Sequence, residues 1–102
     1  MNLEHIHRIA IVGAGTMGAG IGLCFARAGY EVTLHSRTDE SLMRAIRQIR
    51  RSLDLFVSEG ISSSGQAQEA EGHMRAARQL DEALQDAQFV IESVPEQLAL
   101  KQ

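Results

Sequence analysis

The chain has 102 residues, 44% of them hydrophobic and only 4% aromatic, with 10 Lys and Arg against 13 Asp and Glu and a formal net charge of -3. That size admits one globular domain with a limited core, the apolar fraction excludes intrinsic disorder, and the mild acidity excludes the strongly basic footprint of a nucleic-acid binder. A single cysteine, Cys24, makes no internal disulfide and fits a reducing compartment, and the N-terminus has an acid and no apolar run of the signal-peptide kind, so the expected location is the cytoplasm.

In chain order, His7 to Val12 is a short, β-branched apolar run of the kind found in a strand buried on both faces, and it ends in glycine. From Thr16 the apolar positions Met17, Ile21, Leu23, Cys24 and Phe25 recur at helical spacing up to Gly29, a C-terminal stop, which predicts a helix with Cys24 as a small core residue on its apolar side. Tyr30 to His35 reads as a parallel second strand. Thr38 is placed to cap a second helix running to Ser58, with Asp39 and Glu40 in its first turn, and with Leu42, Ile46, Ile49, Leu53 and Phe56 as its apolar stripe. Arg44, Arg47, Arg50 and Arg51 occupy its other faces, as a solvated surface or as partners for a phosphate-bearing substrate tail.

Ile61 to Gly65 reads as a loop, Gln66 to Met74 as a weaker helix interrupted by Gly72, and Ala76 to Gln79 as a third strand. Asp81 to Ala87 is expected as a helical turn, Phe89 to Ser93 as a fourth strand closed by Pro95, and Glu96 to Gln102 as the start of a further helix. The charge-free run from Ile9 to Ala26 raises a membrane span, but its five glycines argue against one, since each costs about 1 kcal/mol in a helix interior.

The chemistry concentrates in Gly13-Ala14-Gly15-Thr16-Met17-Gly18, a GxGxxG. Alone the pattern is weak; here it follows a predicted strand, opens a predicted helix and lies within a βαβ unit of about 30 residues, the context that marks dinucleotide binding. Gly13 makes the tight turn, Gly15 lets the backbone approach a pyrophosphate, and Gly18 lets helix and strand pack. Amide groups at the helix start form an anion site. An acid after the second strand would bind the ribose of NAD, but Ser36-Arg37-Thr38 stands there, and Arg37 can pair with the 2′-phosphate of NADP. Asp39 remains an alternative contact to the ribose. In a doubly wound sheet the fourth strand lies beside the first, opposite the second, so Glu92 to Glu96 should face the cofactor. Ser93 and Glu96 read equally well as a capping box. His5, His7, His35 and His73 lack metal-site spacing, no metal is expected, and no catalytic acid–base pair is placed.

The expected fold is therefore α/β, a Rossmann-type doubly wound parallel sheet, interrupted after about four of its usual six strands. Residues 1–102 would be one incomplete dinucleotide-binding domain with an uncovered fourth strand.

Ile11 to Ile21, together with Phe89-Val90-Ile91-Glu92-Ser93-Val94-Pro95-Glu96 and Lys101, resembles the N-terminal NAD-binding domain of the 3-hydroxyacyl-CoA dehydrogenase family, the 3-hydroxybutyryl-CoA dehydrogenases among them. The resemblance implies an oxidoreductase of fatty acid metabolism that interconverts 3-hydroxyacyl-CoA and 3-oxoacyl-CoA by hydride transfer. It implies that Gly13, Gly15 and Gly18 hold the pyrophosphate with Thr16 and Met17 beside it, and that Glu96 and Lys101 lie at cofactor-contacting positions. The family's usual acid after the second strand is Ser36 here, so NAD or NADP remains open. The family's catalytic histidine and glutamate, its carbonyl-binding serine and asparagine, and the helical domain through which it dimerises belong to sequence beyond Gln102. The expectation is a chain that binds cofactor without turning over acyl-CoA. Two other readings share the glycine turn: an NADP-dependent 3-hydroxyacid or phosphogluconate-type dehydrogenase domain, and a non-enzymatic nucleotide-sensing module.

Overall fold

The computed structural model of the chain describes residues 6–13 and 15–92. Among these described residues eight elements follow one another: β1 (Arg8–Val12), α1 (Thr16–Arg27), β2 (Glu31–His35), α2 (Asp39–Ser58), α3 (Ser64–Gly72), β3 (Met74–Ala77), α4 (Leu80–Leu84) and β4 (Phe89–Glu92). The strands form one parallel sheet in the order β3-β2-β1-β4, with Ile9 level with Val32 on one side and with Phe89 on the other. The chain thus winds outward from β1 in both directions, as expected of the doubly wound class.

Strand alternation separates the two faces of the sheet. Ile9, Ile11, Val32 and Leu34 join the core beneath the helical layer, where they pack with Ala19, Leu23 and Ala26 of α1 and with Leu42, Ala45, Ile49 and Leu53 of α2. The short α4 packs on the opposite face, with Ala83 buried. Burial of the α2 stripe follows its spacing, and Thr38 caps that helix by accepting the Ser41 N–H at 3.1 Å.

Three expectations are corrected. Cys24 is exposed, because the face that α1 buries carries Gly18, Ala19, Gly22, Leu23 and Ala26; Met17, another of the expected apolar positions, is 72% exposed. Small side chains let this helix lie close. A Cβ on Gly22 would stand 3.1 Å from Leu34 Cδ2 and 3.3 Å from both Met74 Cε and Val32 Cγ1. The third helix begins at Ser64, inside the expected loop, because Ser63 and Gln66 form a reciprocal capping box. It ends at Gly72, and β3 begins at Met74, two residues before the expected strand. Met-Arg-Ala-Ala has little strand propensity of its own, and pairing to β2 overrides it. The expected helix from Glu96 lies outside the described residues.

Among the described residues no helix is long and apolar enough to cross a membrane. The charge-free run is divided between β1, the glycine turn and α1.

Candidate cofactor site

The site lies at the carboxyl end of β1, where the chain's crossovers diverge: α1 leads to β2 on one face, and α4 leads to β4 on the other. Gly13 has φ 88, a left-handed conformation that suits glycine. Its N–H donates to the His35 carbonyl at 3.0 Å, fastening the turn to the end of β2. The Gly15 N–H donates to the Gly13 carbonyl at 2.8 Å, and the Gly15 carbonyl accepts the Ala19 N–H at 2.8 Å, so helix begins at once.

Gly15 is the N-cap of α1 and supplies no side-chain hydrogen bond, and the first turn contains no acid. The initial amides and the positive end of the helix dipole are left for an anion. A Cβ on Gly15 would meet nothing within 4 Å, so among the described residues packing does not demand glycine here. Open space of this kind is what close approach of a pyrophosphate requires. Gly18 is buried under the turn, and Met17 lies exposed on the first turn of α1. The Thr16 side chain lies outside the described residues.

At the end of β2, Ser36 is buried, with 8% of its surface exposed, and Arg37 is exposed without a partner among the described residues. The neighbours are already engaged. Thr38 Oγ1 donates to Ser41 Oγ at 3.0 Å while accepting the Ser41 N–H, and Asp39 pairs with Arg78 at 2.7 Å. That leaves Ser36 and Arg37 as the free polar side chains of this loop start. Sequence reasoning missed His35: its Nδ1 is the one buried side-chain nitrogen or oxygen among the described residues with no hydrogen-bond partner. Such an atom costs about 1–3 kcal/mol unless water or ligand completes it. A buried histidine ending an apolar strand is the signal that could have revealed it.

From the other side of β1, Glu92 is exposed and level with Val12, placing the end of β4 beside the glycine turn. Ser93, Glu96 and Lys101 lie outside the described residues. Among the described residues no group of three His, Cys, Asp or Glu is placed to hold a metal ion. The uncapped helix and the open space before Gly15 fit the pyrophosphate of a dinucleotide.

The profile of the family described as 3-hydroxyacyl-CoA dehydrogenase, NAD binding domain, matches residues 8–102. A 3-hydroxybutyryl-CoA dehydrogenase of Mycobacterium tuberculosis is 38% identical over 98 residues, covering 96% of this chain and 34% of the relative. An L-carnitine dehydrogenase of Streptomyces griseus is 34% identical over 98 residues, covering 96% of this chain and 28% of the relative. The crystal structure of 3-hydroxybutyryl-CoA dehydrogenase from Escherichia coli superposes with a TM-score of 0.85 at 32% identity, over 95% of this chain and 20% of that one. The chain thus spans about a third or less of the length of these relatives. Fold, glycine turn and matched profile agree that this chain belongs to the 3-hydroxyacyl-CoA dehydrogenase family, as its NAD-binding domain.

Proposed function

We propose that the chain binds a nicotinamide dinucleotide for an oxidoreductase that interconverts 3-hydroxyacyl-CoA and 3-oxoacyl-CoA. The observation that carries this reading is the glycine turn pinned to β2 by the Gly13–His35 bond and opening an uncapped helix at the sheet's switch point. The backbone of Gly13 and Gly15 and the start of α1, with Thr16, Met17 and Gly18 around it, hold the pyrophosphate. When bound, the nicotinamide supplies hydride transfer. Ser93, Glu96 and Lys101 add contacts on the β4 side.

Ser36 and Arg37 tune the ribose end. Ser36 brings no negative charge to oppose a 2′-phosphate, and the unpaired Arg37 guanidinium can take that phosphate through two parallel bonds. The family description names NAD, and these side chains support acceptance of NADP as well, with some preference for it. The acyl-CoA, the catalytic residues and the homodimer belong to a longer protein, and residues 1–102 form its incomplete cofactor domain. Cytoplasmic location is consistent with the lone Cys24.

Titration of the chain with NADH and NADPH, followed by nicotinamide fluorescence, tests this reading. Both should bind, NADPH a few-fold tighter, and 3-hydroxybutyryl-CoA should not be oxidised by the chain alone. Binding of neither reduces the glycine turn to packing; tighter NADH overturns the role given to Arg37.

A further inference from the structure

β3 ends the sheet, paired only with β2 among the described residues. In a parallel ladder each residue directs its N–H and C=O to the same side, and successive residues alternate sides. The Val32 N–H donates to the His73 carbonyl at 2.8 Å, and Val32 is level with Met74. This phase leaves the backbone groups of Met74 and Ala76 directed away from β2, and Ala76 is exposed.

Two clefts flank that edge, one on each face of the sheet. Beneath the helical layer lies a cleft of about 160 Å³ lined by Leu34, Ile46, Ile49, Met74 and Ala76, with the Arg50–Glu71 ion pair (3.1 Å) in its wall. On the α4 face a more polar cleft of about 300 Å³ is lined by Thr33, Arg75, Ala77, Glu82, Gln85 and Asp86. Two carboxylates there outweigh one guanidinium, and Arg75 has no ion-pair partner among the described residues.

A strand's side chains alternate between faces, so one extended segment added to β3 would feed both clefts in turn. We infer that the β3 edge accepts an extended peptide as a further strand, with alternate side chains apolar, entering the Leu34–Ile46–Ile49 cleft, and basic, meeting Glu82 and Asp86. Backbone bonds to Met74 and Ala76 supply affinity, and the clefts supply selectivity. A second copy of this chain suits the edge poorly. Antiparallel pairing of Met74 with Ala76 of the copy sets the two Arg75 side chains opposite one another, and like charges directly opposed are destabilising. The site is separate from the glycine turn, two strands away across β2 and β1.

Fluorescence anisotropy with labelled octapeptides provides the test: alternating Val and Lys, alternating Val and Glu, and a shuffled Val and Lys sequence. The alternating Val–Lys peptide should bind at least about tenfold tighter than the other two. Ala76→Pro removes an outward N–H without touching the β2 ladder, and should cost at least about tenfold in affinity with an unchanged circular dichroism spectrum. Glu82→Gln with Asp86→Asn should narrow the Val–Lys over Val–Glu preference to about twofold or less, and these variants decide the matter if Ala76→Pro fails to fold. Absence of binding, equal binding of all three peptides, or indifference to these substitutions would overturn the inference. So would loss of binding in a longer polypeptide extending past Gln102, which would assign the edge to the chain's own sequence.

Discussion

At the glycine turn the groups offered to the proposed ligand belong to the backbone of Gly13 and Gly15, whereas at the end of β2 they are the side chains of Ser36 and Arg37. The first end depends on what a residue lacks, the second on what it carries. Backbone recognition tolerates one residue type and leaves a spacing that can be read in sequence. Side-chain recognition can be rewritten by one substitution, and it is the part of this site that departs from the family's usual acid.

Gly15→Val should produce the largest effect on binding. Its φ of -91 and ψ of -162 are open to any residue, and a Cβ meets nothing within 4 Å. Stability should therefore move by no more than about 0.5 kcal/mol in urea melts. Dinucleotide affinity, measured by calorimetry, should fall at least about a hundredfold, because the side chain fills the space a pyrophosphate needs. Retained binding would remove the backbone half of the comparison. Gly22→Leu should do the reverse. Its side chain drives into Leu34, Met74 and Val32, costing about 1–3 kcal/mol in thermal or urea melts while leaving affinity intact well below the melting temperature.

Arg37→Asp probes the side-chain half. NADPH binding should weaken about tenfold, near 1.4 kcal/mol, with NADH changed by less than about twofold in fluorescence titrations. Equal loss of both would trace the effect to folding. The smallest change is Thr38→Ala, which removes the cap of α2 and should cost about 1 kcal/mol in urea denaturation with cofactor preference unaltered.

The same contrast explains what the sequence disclosed. The strand, the glycine turn, α1, β2 and the Thr38 cap were legible because each is written locally, in β-branched runs, capping residues and period. Strand order followed from the doubly wound class. β3 was displaced because Met74 to Ala77 becomes a strand through its partner β2, which no local signal announces. The buried face of α1 was misjudged at Cys24 because hydrophobicity was weighed above size, when close approach to the sheet selects glycine and alanine. Whether the His35 nitrogen finds a partner depends on neighbours distant in sequence, so its isolation is visible only in three dimensions.

The bond from the Gly13 N–H to residue 35 uses that residue's carbonyl, never its side chain. Any amino acid that keeps β2 in place preserves the fastening, so residues 35 to 37 can be exchanged while the turn stays anchored. On the proposed reading coenzyme choice and coenzyme grip are then separable, so substitutions at residues 35 to 37 would shift the preferred dinucleotide without rebuilding the turn.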